Sequence, residues 1–411
     1  MYGAREMVVA ASEDEPRRFL VALGRALTRL GTPAHRLEHS LERVAEALGL
    51  EAQIFSAPTM LMVAVGPPGD QHTLMFRVEP GDIDLGKLVA VDEVAQEVAR
   101  GALDAAAGGA RLRAIEEATP RYGAGLVLPS WAVVSAAVAR FLGGRAEEAF
   151  VAGGIGLVIG AMTLALGRKP AGARVFDVVA AFVAAVGAGA AAAGLGTAMQ
   201  ITLLAGLIVL LPGLTLTTAM TELATRNLVS GTARLVAAAI VFLQLAFGVA
   251  LGDRLVRAVT GTTPMVLPRV PVWWGVEAAL LGFSLLALGV LFRAPRRSFP
   301  LIVIAGVIGF YGARLGAAAV GPELGAGLGG FAVALFGNVF ARSGRGPALV
   351  PIVPGILLLV PGSIGFRSLT SMMRDDVVSG IDTAFAMFLV AVSIVAGLLF
   401  ANVLLPPRRS L

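Results

Sequence analysis

Long apolar runs, separated by short polar segments, fill the chain from residue 122 onwards. A helix needs about 20 apolar residues to cross the hydrocarbon core of a bilayer, and ten of these runs are near that length. We therefore predict an α-helical membrane protein with ten transmembrane helices. The ten runs lie near residues 122–142, 149–167, 175–194, 199–225, 231–251, 271–292, 299–319, 323–341, 347–373 and 380–404.

The first 120 residues have shorter apolar stretches and more charge, which predicts a small α/β domain, called the head below. Leucines at helical spacing indicate that its first two helices are amphipathic. Thr32 is expected to be the N-cap of the second helix, with Pro33 as its first residue. The predicted elements are helices near 20–30, 33–48, 84–101 and 103–118, and strands within 52–66 and 73–78.

Two of the apolar runs carry the same motif at a fixed distance. "LLPGLTLTTAMTELATRNLVSG" starts at residue 210 and "LVPGSIGFRSLTSMMRDDVVSG" at residue 359, so that the Pro-Gly and Val-Ser-Gly elements recur 149 residues apart. The same shift places spans one, two, three and five on spans six, seven, eight and ten. Because five spans is an odd number, the second repeat must be inverted relative to the first, as in many secondary transporters. The predicted boundaries are 1–120 for the head, 121–262 for the first repeat and 263–411 for the second.

Composition supports a membrane location. Apolar residues make up 56% of the chain and charged ones 15%, against about 25% in an ordinary globular protein. The head has more Asp and Glu than Lys and Arg, whereas the basic residues of the body lie in short loops, where they set membrane topology rather than bind nucleic acid. A modest excess of Arg and Lys on one side predicts that both termini are cytoplasmic. The absence of cysteine excludes disulfides, thiolate nucleophiles and Cys-ligated zinc.

The repeated Pro-Gly pair predicts the transport site. Proline interrupts a helix, and such interruptions at matching positions of two repeats are the best sequence indication of a binding site. A half-helix that begins at Gly213 or Gly362 would direct free N–H groups towards a carboxylate, with hydroxyls close by. The alternative is that the pairs only kink two packed helices whose Ser and Thr side chains bond their own carbonyls. The candidate substrate-binding residues are Pro212, Gly213, Thr215, Thr217, Thr218, Thr221, Pro361, Gly362, Ser363, Arg367 and Ser371, with Gln244 and Ser393 as secondary candidates.

Coupling to protons would need a titratable group in the body. All three histidines lie in the head, so the candidates are carboxylates, of which Glu222, Asp177 and Glu277 are preferred over Glu323 and Asp382. Glu222 comes first because it follows the break in span four. Its counterpart 149 residues later is Ser371, so a proton site there would be asymmetric.

The head contains H-x-x-E-H, formed by His35, Glu38 and His39, which is a signature of one class of zinc hydrolase. On a helical wheel, however, the histidines fall on the stripe of Glu42 and Glu46, opposite the leucines. We therefore expect a solvated polar face and no bound metal or other cofactor. A membrane-tethered hydrolase or ligand-sensing protein acting through the head is the alternative function.

Four stretches resemble the threonine/serine exporter family: "LGRALTRLGTPAHRLEHSLERVAEALGL", "SAPTMLMVAVG", "LLPGLTLTTAMTELATRNLVSGTARL" and "VPGILLLVPGSIGFRSLTSMMRDDVVSG". The head motif of the family is G-x-P-x-x-R-x-E, here Gly31, Pro33, Arg36 and Glu38. The resemblance implies a cytoplasmic head, ten spans, and efflux of threonine and serine driven by the proton-motive force. The expected location is the bacterial plasma (inner) membrane. The expected partners are the amino acid, protons, lipid and a second copy of the chain, and not nucleic acid.

Overall fold

A computed structural model describes residues 2–67, 69–79, 81–167, 172, 174–261, 268–372 and 376–407, with the backbone alone for residues 2–14 and 372. The head consists of four helices and one sheet. The elements are α1 (Tyr2–Arg29), α2 (Ala34–Ala47), β1 (Ala52–Ala57), β2 (Met60–Val65), β3 (His72–Arg77), α3 (Leu85–Ala99) and α4 (Ala105–Glu117).

The sheet is antiparallel in the order β1-β2-β3, and alternate residues of β2 point into the core. The leucines of α1 and α2 that the periodicity selects pack against Leu61 of β2 in one buried cluster. Gly24 permits this close packing, because a Cβ there would lie 2.6 Å from Cδ2 of Leu61. Helices and strands occur within the predicted ranges of the head, although α1 begins at Tyr2 rather than near residue 20. The separate α/β domain and the domain boundaries remain predictions.

Long apolar helices form the rest of the described chain. They are α5 (Ala124–Phe141), α6 (Ala146–Leu166), α7 (Phe176–Leu195), α8 (Met199–Leu207), α9 (Gly213–Ala224), α10 (Leu228–Thr260), α11 (Trp274–Leu291), α12 (Phe299–Val320), α13 (Pro322–Arg342), α14 (Leu349–Leu357), α15 (Gly362–Met372) and α16 (Val377–Leu404), with a short 3₁₀ helix at Arg296–Ser298.

Within the described residues, nine helical stretches are long and apolar enough to cross a membrane, and one of them joins α14 and α15. The predicted span at 199–225 is absent from the nine because it is divided into α8 and α9, which have 9 and 12 residues. The protein is therefore a helical membrane protein. The total of ten spans and the inverted orientation of the second repeat remain predictions.

Contacts of the described connections define two sides of the helical body. The head contacts the α9–α10 and α11–α12 connections, and we call this the head side. On the far side, the connection after α5 bonds to two others: the Val270 N–H donates to the Gly143 carbonyl, and Arg145 donates to the Gly196 carbonyl. Small residues bring neighbouring helices together, since a Cβ on Gly325 would lie 2.3 Å from the Ala317 nitrogen.

Candidate substrate site and head contact

The two Pro-Gly breaks lie side by side in the helical body. As expected, α9 begins at Gly213 and α15 at Gly362. A Cβ built on Gly213 would lie 2.3 Å from Cγ1 of Val360 and 3.2 Å from Cα of Gly362. A Cβ on Gly362 would lie 3.3 Å from Cα of Gly213. This close approach favours glycine at both positions, more strongly at Gly213, and it joins two segments that are 149 residues apart in the chain.

A pocket of about 60 Å³ lies between the breaks and the head. A single water needs about 10–15 Å³, so the pocket has room for a group larger than one water molecule. Thr217, Thr218 and Thr221 supply hydroxyl groups on one wall, and His35 and Arg36 of α2 form the head-side end. The other lining residues are Leu214, Ala334, Leu349, Ile352, Val353, Ile356, Leu398, Leu399 and Asn402.

Two of the pocket hydroxyls are already donors within their own helix. Thr217 Oγ1 donates to the Gly213 carbonyl at 3.2 Å, and Thr221 Oγ1 donates to the Thr217 carbonyl at 2.8 Å. The alternative that the Ser and Thr side chains bond carbonyls of their own helix is therefore correct for Thr217 and Thr221 as donors. A hydroxyl that donates one hydrogen bond still has lone pairs with which to accept another, so both can bind a donor in the pocket.

The far side of the breaks is closed by apolar packing. Leu207 and Leu211 pack in one buried cluster with Phe242 of α10 and Phe366 of α15. Phe366 is 2% exposed. Apolar residues thus pack together on the far side of the breaks, whereas the pocket lies on the head side.

The other predicted substrate residues do not line this pocket, and these include Pro212, Gly213, Pro361 and Gly362 of the breaks themselves. Arg367 is exposed, whereas Thr215, Ser363 and Ser371 are half-buried on α9 and α15. Gln244 is half-buried on α10, and Ser393 Oγ donates to the Leu324 carbonyl at 3.3 Å.

Glu222, the preferred coupling residue, is fully buried and contacts the head. Its carboxylate pairs with Nε of Arg234 at 3.1 Å, and its Oε1 accepts a hydrogen bond from the Ala34 N–H at 2.8 Å. The expected cap of α2 is wrong by one residue: Pro33 is the N-cap, α2 begins at Ala34, and no side-chain cap bond forms there. Proline has no hydroxyl to offer, and a carboxylate from the membrane helix takes the free N–H instead.

Glu38 forms a second polar link between the head and the body. It accepts hydrogen bonds from the Ser56 N–H at 2.8 Å and from Nδ2 of Asn227 at 3.1 Å. Burial raises the pKa of the Glu38 carboxyl, although these two hydrogen bonds act in the opposite direction. Glu38 of the G-x-P-x-x-R-x-E motif therefore lies where the head contacts the α9–α10 connection.

The expected solvated histidine face is only partly correct. His39, Glu42 and Glu46 are exposed, but His35 is turned towards the body, and its Nδ1 is shielded without a hydrogen-bond partner. Burial, with a smaller effect of the neighbouring Arg36, lowers the pKa of His35 to about 3. The wheel failed here because it considers one helix, whereas the membrane helices cover the first turn of α2.

The three residues of H-x-x-E-H have three different surroundings. His35 lines the pocket, Glu38 bonds to Ser56 and Asn227, and His39 is exposed. Across the part of the chain that the structure describes, no group of three or more His, Cys, Asp or Glu side chains could hold a metal ion.

Two family models of threonine/serine exporters match the chain. The first covers residues 18–256, which include the head motif and the first break. The second, described as "Threonine/Serine exporter, ThrE", covers residues 277–404 and the second break. The chain belongs to the threonine/serine exporter family.

Curated relatives of this exporter family member are yeast proteins. It is 26% identical over 364 residues to "Pheromone-regulated membrane protein 10" of Debaryomyces hansenii, which covers 86% of this chain and 36% of that protein. Proteins of the same name from Candida albicans (25% over 381 residues; 90% and 34%) and Saccharomyces cerevisiae (25% over 378 residues; 89% and 48%) are similar. The chain thus spans about a third to a half of the length of these relatives. No solved structure matches it.

The head of this family member has a second contact with the body, which the sequence did not indicate. The Leu85 N–H donates to the Phe292 carbonyl at 2.9 Å, and Arg293 pairs with Asp84 at 3.4 Å. The hydroxyl of Tyr122 donates to the Ala294 carbonyl at 2.7 Å. Local sequence patterns cannot show such contacts, because each contact joins segments that are about 170 or more residues apart.

The other proposed coupling carboxylates of this family member lie at helix ends. Glu277, in the first turn of α11, pairs with Arg314 of α12 at 2.6 Å. Asp177 is half-buried in the first turn of α7. Sequence reasoning missed Glu148, which is 1% exposed, pairs with Arg145 at 3.0 Å and accepts the Ala198 N–H. Its place three residues after Arg145, at the start of an apolar run, was the signal for this pair.

Proposed function

We propose that the protein is a secondary active exporter of threonine and serine, driven by the proton-motive force, which works by alternating access around its two broken helices. The observation that supports this most directly is the contact of Gly213 with Gly362 beside a pocket with three threonine side chains. Broken helices that meet between two repeats are typical of substrate sites in secondary transporters. The expected location, the bacterial plasma membrane with both termini in the cytoplasm, belongs to this proposal.

The two breaks suit a small zwitterion. The backbone N–H groups in the first turns of α9 and α15 have no hydrogen-bond acceptor within their own helix. The helix dipole also favours negative charge there. The substrate carboxylate would bind at these termini, and the hydroxyl of threonine or serine would bind beside Thr218. Because the pocket is on the head side and the far side is sealed by Leu211 and Phe366, export would require the two repeats to rock and exchange these states.

Glu222 is the carboxylate that we assign to proton coupling. Protonation would remove the charge that Arg234 now faces and weaken the bond to the Ala34 N–H. One proton could therefore loosen the head and open the head side of the pocket. Asp177 and Glu277 remain alternatives, of which Glu277 has its own cation in Arg314.

The test is gradient-driven transport by the purified chain in liposomes. Labelled threonine and serine should move when a pH gradient is imposed, and Thr218→Val and Pro212→Ala should each reduce the rate about tenfold, which corresponds to about 1.4 kcal/mol. Thr232→Val is the matched control, since Thr232 is exposed on α10 and its hydroxyl bonds the Leu228 carbonyl. Normal transport by both site variants would remove the site assignment, and no transport by the unmodified chain would remove the function.

The alternative of a hydrolase or sensor acting through the head gains no support from His35, Glu38 and His39, because the three side chains do not converge. Elemental analysis of the purified chain tests it separately. Stoichiometric zinc that is lost in a His35→Ala, His39→Ala double variant would favour that alternative over transport alone.

A further inference from the structure

Arg36 is a half-buried cation, and one of its nitrogens has no hydrogen-bond partner among the described residues. It lies in the first turn of α2, its Nη1 is shielded from solvent without a hydrogen-bond partner, and it lines the head-side end of the pocket. Among the described residues no carboxylate forms an ion pair with it. Burial lowers the pKa of Arg36 to about 10, so the side chain is still charged at neutral pH. An unpaired charge in such a place is costly, and structures that tolerate it usually supply an anion.

Two carboxylates at the head contact have other partners. Glu222 pairs with Arg234 and accepts the Ala34 N–H. Glu38 accepts from Ser56 and Asn227. Neither of them forms an ion pair with Arg36, so we consider an anion that enters the pocket.

The groups around Arg36 complement the rest of an α-amino acid. His35 is neutral, and its unpaired Nδ1 can accept a hydrogen bond from an ammonium or donate one, depending on the tautomer. Thr218 and Asn402 add a hydroxyl and an amide to the same pocket. A guanidinium binds a carboxylate through two parallel hydrogen bonds, which an ammonium cannot reproduce.

We propose that Arg36 binds the carboxylate of the transported amino acid on the head side, before the substrate reaches the broken helices. The head then contributes directly to the substrate site, and Arg36 distinguishes amino acids from their uncharged analogues. This inference rests on the proposed export of threonine and serine, and it assigns them a first binding position.

The test compares threonine with threoninol, in which CH₂OH replaces the carboxylate. Binding to the purified full chain is followed by the ligand-induced shift of the unfolding midpoint. The unmodified chain should bind threonine at least tenfold more tightly than threoninol. Arg36→Met should reduce that preference severalfold and, because a shielded unpaired charge is removed, should not lower the midpoint of the ligand-free protein. Arg43→Met, on the exposed face of the same helix, is the matched control and should keep the preference.

A second measurement needs no variant. Acetate should compete with threonine for the unmodified chain, whereas chloride at equal ionic strength should not. An unchanged threonine preference in Arg36→Met, or failure of acetate to compete, would overturn the carboxylate assignment while threonine export could stand. An unmodified chain that neither binds nor moves threonine or serine would overturn the proposed function together with the assignment.

Discussion

The two broken spans share a Pro-Gly break but differ in the half-helices that follow it. In span four, α9 contains the threonines of the pocket and, in its last turn, the buried Glu222, which pairs with Arg234 and accepts a hydrogen bond from the head. In span nine, α15 has Ser371 at the position that corresponds to Glu222, and its Arg367 is exposed. The chain therefore carries its buried ion pair at only one of two related positions.

The difference follows from the side of the body on which each half-helix lies. The second half of span four and the first half of span nine face the head, and Leu349 and Val353 of α14 belong to the same buried cluster as the head leucines. The opposite halves, α8 and α15, lie on the far side, where Phe366 packs among apolar residues. The comparison shows that the head makes the two ends of the proposed pathway unequal, although the breaks themselves are alike.

Removing the charge of Glu222 should have the largest effect. Glu222→Gln leaves Arg234, which is 15% exposed, without its counter-ion, and breaking a buried pair from one side costs about 3–5 kcal/mol. The unfolding midpoint of the purified chain should fall accordingly. The double variant Glu222→Met, Arg234→Met should recover much of the loss, since it leaves no unpaired charge.

The matched control for this prediction is the corresponding position in span nine. Ser371→Ala should change stability by less than about 0.5–1 kcal/mol, because Ser371 is half-buried and has no charge. Equal losses at Glu222 and Ser371 would contradict the asymmetry described above.

Adding a methyl group at the breaks should show the next largest effect. Gly213→Ala places a Cβ 2.3 Å from Val360, while Gly362→Ala meets its nearest atom, Cβ of Leu211, at 3.2 Å. We expect Gly213→Ala to cost about 1–3 kcal/mol and to impair transport more than Gly362→Ala does. Unfolding and liposome transport measure the two effects.

Gly154→Ala serves as the control, since a Cβ at that position on α6 would meet nothing within 4 Å. If Gly213→Ala were as stable and active as Gly154→Ala, the two breaks would not be in the close contact that supports the proposed site.

Apolar run length and the repeat were sufficient to predict the helices, the breaks and the first residues of α9 and α15. Those features depend on local sequence, because a run of about 20 apolar residues or a Pro-Gly pair acts on its own segment. The 149-residue repeat also predicted which breaks correspond, although not that Gly213 and Gly362 touch. Their contact is a property of packing between helices.

The head contact could not be predicted for the same reason. Ala34 and Glu222 are 188 residues apart, and each has an ordinary local interpretation, as a helix start and as a carboxylate near a span end. The helical wheel of α2 was correct for His39 and incorrect for His35, because only the assembled protein shows which part of that face the body covers.

Acidification should lower the free energy of unfolding through His35. The folded pKa of His35 is lowered to about 3, below its ordinary 6.5, so the unfolded chain binds the proton first as pH falls. The contribution of neutral His35 to stability is complete above pH 6.5 and is lost on acidification, with about 1–2 kcal/mol gone by pH 5.

His35→Gln should remove this part of the pH dependence of unfolding between pH 7 and pH 5. His39→Gln, at an exposed position on the same helix, should retain it. Parallel pH profiles of His35→Gln and the unmodified chain would show that His35 is not buried against the body in its neutral form.

The smallest effect should separate two residues that occupy the same place in the repeats. Asn227 and Asp376 are 149 residues apart and are the N-caps of α10 and α16. The Asp376 side chain caps its own helix by accepting the Ser379 N–H at 3.2 Å, whereas Asn227 donates to Glu38 of the head at 3.1 Å.

Asn227→Ala and Asp376→Ala should each lower the free energy of unfolding by about 1 kcal/mol. Only Asn227→Ala, however, should speed hydrogen exchange of the Ser56 amide, which bonds to the same carboxylate. Faster exchange of the Ser56 amide in Asp376→Ala, or unchanged exchange in Asn227→Ala, would mean that the bond between Asn227 and Glu38 does not hold the head. Glu222 would then be the main polar attachment of the head beside the pocket.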